Sequence, residues 1–269
     1  MSVRESTKTY QVLRVGKDGR ESAPLDFIGE EPLSIRIEDK PYSVLMRTPG
    51  DEVFEAAGFC LGEGIVDSRD DFKTIGYDEQ QDPNLVDVWL QPERKEKIGE
   101  LLERRGFVSQ ASCGICGKEM IQDIRAHVEP AGKGPEIEVD QAFECLARLD
   151  RQQVYYKATR GSHAALVLDA RAEPVSFAED VGRHNALDKA IGKALMDHRL
   201  PGADIVVLSS RNSYELVQKA SRARLSIMIS NSRPTALAIE MGRALGLTLV
   251  FRRKDELVVV CGEGRIRIA

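Results

Sequence analysis

The second half of the chain restricts the fold most. Short apolar runs at Ile205–Leu208, Ser226–Ser230 and Leu247–Phe251 alternate with segments of helical periodicity, Ser213–Ala223 and Pro234–Leu245, the latter stopped by Gly246. A strand that is apolar on both sides has no face for water, so such a run belongs in a sheet covered on both faces. Further strands are expected at Val154–Lys157, Ala164–Asp169 and Leu257–Cys261. A helix is expected over Asp180–Leu195, where Leu187, Ala190, Ile191, Ala194 and Leu195 form one stripe.

The first hundred residues read differently. Residues 1 to about 20 are polar and basic and read as a frayed end. Pro32–Arg47 alternates apolar with polar around Lys40-Pro41, which is the pattern of a hairpin. Pro49-Gly50-Asp51 then breaks the strand and opens a helix carrying Val53, Phe54, Ala57, Phe59 and Leu61. Asn84–Gln91 reads as a strand and Glu93–Arg105 as a helix. From Gly106 to Gly117 the chain turns small, polar and glycine-containing, so a boundary is placed there: an N-terminal α+β domain over 1–110 and an α/β domain over 111–269. Lys118–His127 and Asp140–Asp150 read as helices joined by a linker, residues 131–136, of flexible composition.

Composition removes several functions. Lys and Arg number 38 against 43 Asp and Glu, a formal net charge of −5, so the overall basic footprint of a nucleic-acid binder is absent. No run approaches the about 20 apolar residues of a membrane span. The opening residues show neither an apolar signal core nor a cleavage site, and a cytoplasmic protein is expected. Five cysteines, an odd and sparse set, do not suggest a secreted disulfide framework.

Two of those cysteines lie together in Ser112-Cys113-Gly114-Ile115-Cys116-Gly117. A pair at this spacing can exchange electrons, supply half a zinc site, or carry a sulfur atom on one thiolate with the other assisting. Zinc needs four ligands, and Cys60, Cys145 and Cys261 are isolated; a deaminase-type site also needs an His-x-Glu that His163-Ala164-Ala165 does not provide. A thioredoxin-type pair belongs at a strand-to-helix junction, whereas the flanks here are polar. The reactive-thiol reading gains from the helix expected after Cys116, whose N–H groups favour thiolate, and from glycines that let a bulky partner approach. Two inert thiols in a loop remain the plain alternative.

A second candidate is distributed over three strand ends. They run into Ser209-Ser210-Arg211-Asn212-Ser213, Ser230-Asn231-Ser232-Arg233-Pro234-Thr235 and Arg252-Arg253-Lys254. Ligands of open α/β sheets bind beyond the carboxyl ends of strands, and two of these loops open helices. Arginine and hydroxyl side chains there are suited to an anion, above all phosphate. Taken singly, Ser213 and Thr235 are ordinary helix caps. The third candidate is the run Glu179 to Lys189. His184 and Asp188 share one helix face and Asn185 and Lys189 another, with the apolar stripe turned away. His163 enters a strand, as a site residue or as a satisfied core histidine.

RTPGDEVFEAAGFCLGEGIV, SCGICG, GSHAALVLDA, EDVGRHNALDKAIGKAL, SSRNSYELVQKA and SRPTALAIEMGRALGLTLV occur here in an order that resembles the FdhD/NarQ family of sulfur carriers required for formate dehydrogenase. The likeness runs from about residue 20 to the C-terminus. It implies an α/β fold whose C-terminal domain is cytidine-deaminase-like without a deaminase zinc centre, beside a smaller N-terminal α+β domain, in a homodimer. It implies that Cys113 takes persulfide sulfur from a cysteine desulfurase, with Cys116 as companion. The sulfur passes to the molybdenum bis(molybdopterin guanine dinucleotide) cofactor on its way to formate dehydrogenase, and a GDP-like nucleotide mimics that cargo. The family's cofactor-binding segment falls on Phe251, Arg252, Arg253, Lys254, Asp255 and Glu256. With Arg211, Arg233, Arg252 and Arg253 holding phosphates, Ser232 and Thr235 also binding the cofactor, and His184 and Asp188 steering a proton or orienting a guanine, these form the expected site. A zinc-dependent deaminase-like hydrolase, or a nucleotide-binding chaperone with inert cysteines, are the alternatives.

Overall fold

The computed structural model describes residues 6–77, 82–99, 128 and 130–268. The chain opens with β1 (Thr7–Gly16) and β2 (Gly19–Ile28), an antiparallel ribbon where composition suggested fraying. The ribbon is a local hairpin, its register running from Gly16 opposite Gly19 to Thr7 opposite Ile28. Thr9 Oγ1 donates to Asp26 Oδ1 at 2.6 Å, and the Tyr10 and Phe27 rings meet edge to face at 5.8 Å. Next come β3 (Glu31–Ile37) and β4 (Lys40–Arg47), the expected hairpin, then α1 (Glu52–Gly62), β5 (Phe72–Gly76), β6 (Leu85–Leu90) and α2 (Pro92–Lys97). The four strands form a sheet in the order β4-β3-β6-β5. Leu33, Ile35 and Ile37 of β3 and Val86, Val88 and Leu90 of β6 point to its buried face, as strict alternation requires. The proposed boundary near residue 110, the helix expected over Lys118–His127 and the Cys113–Cys116 segment lie outside the described residues.

The chain continues with β7 (Ile137–Glu138), α3 (Val139–Gln152) and α4 (Tyr155–Thr159). α4 replaces the strand expected at Val154–Lys157. The Glu179 carboxylate accepts the backbone N–H groups of Val154, Tyr155 and Tyr156 at 2.6–3.0 Å, which caps a helix that β-branched and aromatic residues would not form alone. β8 (His163–Asp169) and β9 (Pro174–Asp180) follow as an antiparallel pair. The expected helix therefore begins at Arg183 and not at Asp180: α5 spans Arg183–Met196. Asp180 ends a strand because its carboxylate is bound to groups distant in sequence.

The remaining elements are β10 (Ala203–Leu208), α6 (Tyr214–Arg222), β11 (Ile227–Ser230), α7 (Ala236–Ala244), β12 (Thr248–Arg253), β13 (Glu256–Cys261) and β14 (Ile266–Arg267). Six strands form one sheet in the order β13-β12-β11-β10-β8-β9, with β10, β11 and β12 parallel. Both faces are covered. Ala142, Cys145, Leu146 and Leu149 of α3 pack on one, with Leu166, Val207 and Ile229; α5, α6 and α7 cover the other. The second cluster also takes in Ala57 and Phe59 of α1 and Leu33 and Val86 of the four-stranded sheet. The linker of flexible composition is fastened: Arg265 donates to the carbonyls of Gly132 and Lys133 at 2.6 and 2.9 Å. Among the described residues no helix is long and apolar enough to cross a membrane.

A buried charge cluster joins β4 and α1 to α5. Lys189 Nζ donates to Asp180 Oδ2 and to the Thr48 carbonyl, both at 2.6 Å, and lies 3.6 Å from Glu55 Oε2. Asp180 also accepts from the backbone of Thr48 and Gly182 and from Asn185 Nδ2. Arg47 Nη2 stands 3.0 Å from Glu52 Oε1. Two cations thus face two well-bound carboxylates, and Glu55 is the surplus acid. It is fully buried with neither oxygen hydrogen-bonded. Burial, against the pull of Lys189, pushes its carboxyl up to about 8. The folded protein therefore holds a proton here that the unfolded chain releases above its ordinary carboxylate range. Stability contributed at low pH is lost as pH rises toward 8, by at most about 1.4 kcal/mol per pH unit. Urea titrations of the parent and Glu55→Gln at pH 5, 6.5 and 8 should show a shallower fall for the variant. Parallel curves would remove Glu55 from this role.

Candidate functional site

The site is built on one edge of the six-stranded sheet. The register aligns Leu208 with Ser230 and Ser230 with Phe251, so the carboxyl ends of β10, β11 and β12 emerge together. The antiparallel neighbours bring their own residues to this edge. His163 at the start of β8 pairs with Asp180 at the end of β9, and the β12–β13 turn lies there too. As a consequence α5, α6 and α7 all begin at this edge, with N-terminal N–H groups aimed at the same side.

Short polar bonds fix these loops. Asn212 Nδ2 donates to Ser230 Oγ at 3.4 Å, and the Asn212 carbonyl accepts Thr235 N–H at 3.0 Å. Ser230 Oγ donates to the Ser232 carbonyl at 2.8 Å, while Ser209 Oγ accepts the Ala164 N–H at 2.8 Å. Thr235 caps α7 by accepting Ala238 N–H. Ser213 precedes α6 without capping it; its hydroxyl lies 3.3 Å from His184 Nε2. The buried Asn212 and Asn231 side-chain oxygens carry no hydrogen bond.

The expected anion-binding residues assemble here. Arg211, Arg233, Arg252, Arg253 and Lys254 are exposed along the edge, and Ser232 and Thr235 are half-buried between them. Arg252 Nη1 lies 3.8 Å from Asp150 Oδ2, which steadies it without covering it. Lys254 takes a left-handed conformation at φ 56° in the turn that also holds Asp255 and leads into Glu256. Phe251 differs from its neighbours: it is buried beneath the edge and braces the strand.

His184 and Asp188 occupy the α5 side of the edge. Sequence spacing put the polar residues of this helix on a face away from the apolar stripe. The structure corrects that, because α1 and α6 cover the polar face as well, and Asn185, Asp188 and Lys189 are all buried. Asp188 Oδ2 accepts from Lys219 Nζ at 2.8 Å. His184 Nε2 lies 2.8 Å from Glu215 Oε2, and the hydrogen bond to His184 draws the Glu215 carboxyl below its ordinary range. Burial pushes the nearby His163 imidazole down, and the Arg183 guanidinium adds to the shift. Sequence reasoning passed over Glu215 and Lys219. Their spacing of four on α6 marks one helix face, but nothing local pairs them with α5.

The remaining described cysteines offer no reactive thiol at this edge. Cys60, Cys145 and Cys261 are buried, and burial raises all three; Cys145 reaches about 11. Cys113 and Cys116, the predicted sulfur-bearing pair, lie outside the described residues.

Comparison with known proteins follows this geometry. Residues 28–267 match the FdhD/NarQ family. The chain is 35% identical over 275 residues to the sulfur carrier protein FdhD of Streptomyces coelicolor, covering 97% of this chain and 96% of that one. It is 34% identical over 274 residues to the protein of the same name from Mycobacterium tuberculosis, covering 97% and 99%. A solved structure from Desulfotalea psychrophila, described as a formate dehydrogenase accessory protein, superposes with a TM-score of 0.78 at 20% identity, over 97% of this chain and 100% of that one. By sequence over nearly its whole length, and with the fold in agreement, the chain belongs to the FdhD/NarQ family.

Proposed function

We propose that this protein is a sulfur carrier that accepts persulfide sulfur on Cys113 and delivers it to a molybdenum bis(molybdopterin guanine dinucleotide) cargo held at the strand-end edge, for use by formate dehydrogenase. The observation that carries the reading is the convergence of three helix N-termini with Arg211, Arg233, Arg252 and Arg253 at one edge of the sheet. Such an edge suits the pyrophosphates of a dinucleotide. The sulfur carrier names of its relatives and the Cys113/Cys116 pair support the other half.

The loading step is a thiol exchange. The Cys113 thiolate attacks the outer sulfur of a desulfurase persulfide, one S–S bond forms as another breaks, and the desulfurase leaves as thiolate. No net oxidation occurs. Cys116 assists the onward release, and the working form is a homodimer. Incubation with a cysteine desulfurase and cysteine should add one sulfur atom to the protein, mapped to Cys113 by mass spectrometry of its peptides. An unmodified protein under conditions that load a known acceptor would end the carrier reading and leave that of a cofactor chaperone. Zinc at one atom per chain by elemental analysis would favour the hydrolase instead.

The cargo half has its own test. Arg211→Ala and Arg233→Ala should each weaken GDP binding about tenfold, because each removes a charge-assisted contact to phosphate. Calorimetry giving the parent affinity would remove that arginine from the site.

A further inference from the structure

The ribbon of β1 and β2 is a sheet of its own, with no third strand beside it among the described residues. A two-stranded ribbon alone is marginal in water, so one with ten residues to a strand calls for cover on a face. Residues opposite each other in an antiparallel pair share a face. One face therefore carries Tyr10 with Leu25, Val12 with Ala23 and Arg14 with Glu21, and Phe27 next to Tyr10. Tyr10, Leu25 and Phe27 are 55%, 49% and 41% exposed. They form one patch, since the Tyr10 and Phe27 rings meet at 5.8 Å and Leu25 lies opposite Tyr10. At the turn end of the same face Arg14 Nη1 lies 3.5 Å from Glu21 Oε1. Thr7 and Ile28 belong to the other face, and Ile28 is what meets the body. A Cβ on Gly161, just past α4, would stand 3.0 Å from Ile28 Cγ2. The apolar face is thus turned away from the protein's own body.

The order of side chains on this face selects its occupant. Each cross-strand pair has complementary members: an acid opposite a base, an aliphatic chain opposite a ring. A two-fold axis running along the ribbon lays β1 of one copy over β2 of another. Arg14 of each copy then meets Glu21 of the other, and Tyr10 of each meets Leu25 of the other. The face is therefore complementary to itself, in charge and in apolar surface. We propose that this face joins two copies of the chain, with their ribbons stacked about such an axis. The inference rests on the homodimer reading above and names the surface that makes the dimer. Each ribbon leans on its own body through Ile28 on the far face, so the two bodies lie on opposite sides of the stack. The family match begins at residue 28, and none of the residues proposed to carry sulfur or cargo lies on the ribbon.

Sedimentation of the full chain reads the assembly. The parent should form a dimer, and Leu25→Glu should dissociate it by placing a charge in the apolar centre of the stack. Glu21→Arg leaves only cations at the outer end of the stacked ribbons, and Arg14→Glu leaves only acids. Each should raise the dimer dissociation constant about tenfold or more. Mixed in equal amounts, these two variants should form dimers that hold one chain of each, identified by native mass spectrometry. Such recovery arises between chains, because each variant still lacks its own Arg14–Glu21 pair. A parent that is monomeric at every concentration overturns the inference. So do variants as dimeric as the parent, and so does a mixture that stays monomeric. Sulfur loading of Cys113, followed on the same samples, reports the carrier reading separately. Sulfur on a chain that never dimerises overturns the surface alone, and a ribbon-dependent dimer that takes no sulfur overturns the carrier alone.

Discussion

Replacing Cys113 by alanine is expected to abolish maturation of formate dehydrogenase and to eliminate the persulfide adduct, with the thermal midpoint unchanged. The size of the effect follows from the chemistry. Carrying a sulfane sulfur requires a nucleophilic sulfur at the receiving position, and alanine has none. The described cysteines do not substitute, because Cys60, Cys145 and Cys261 are buried with thiols pushed toward the protonated form. Cys113→Ser should fail as completely, because a hydroxyl neither ionises near neutral pH nor accepts sulfur by exchange. Stability is expected to hold because the change removes one sulfur atom and adds neither bulk nor charge. Measuring formate dehydrogenase activity in cells that carry the variant as their sole copy checks the claim. Parent-level activity would remove Cys113 from the transfer.

The second large effect is structural. Gly192→Ala should destabilise the fold by about 3 kcal/mol, at the top of the usual range for overpacking. α1 and α5 cross at glycines. A Cβ on Gly192 would stand 1.7 Å from the Phe54 carbonyl oxygen, and a Cβ on Gly58 1.9 Å from that of Asp188. Both obstacles are backbone atoms inside helices, so no side chain can rotate out of the way, and the helices must separate. Separation opens the contact that buries Lys189 and Glu55 and shifts the helix bearing His184 and Asp188. Thermal unfolding should show a midpoint lower by about 6–12 °C, from about 2–4 °C per kcal/mol for chains near this size. Gly202→Ala, where an added Cβ meets nothing within 4 Å, is the matched control. An unchanged midpoint in Gly192→Ala would mean that the helices do not meet this closely. Gly58→Ala should behave alike, and the double variant should cost less than the sum because the first substitution already parts the helices.

The helix crossing shows where sequence reading stops. Gly58 and Gly192 look like ordinary helix-weakening residues in isolation, and their reason for being there is a partner more than a hundred positions away. Glu179 is similar. Its carboxylate converts Val154–Lys157 from an expected strand into the start of α4, and no window around residue 155 contains it. The N-terminal ribbon was missed for a different reason: it is a local hairpin whose residues are mostly exposed, so no buried apolar face marks it in the sequence.

By contrast, the parallel strands β10, β11 and β12 could be read directly, because a strand buried on both sides must be apolar throughout. The recurrence of hydroxyl, arginine and helix start in the loops after them is also plain in the sequence, and the anion chemistry proposed above rests on it. The Cys113/Cys116 pair is marked by its spacing, while the role proposed for it comes from the family resemblance. Tertiary structure alone decided which strand ends share an edge, that Asp188 of α5 pairs with Lys219 of α6, and that the polar side of α5 is buried. Periodicity reports how a helix would meet water. Whether water or another helix covers that face is settled by which distant segment packs there, and the local pattern carries no record of that segment's identity.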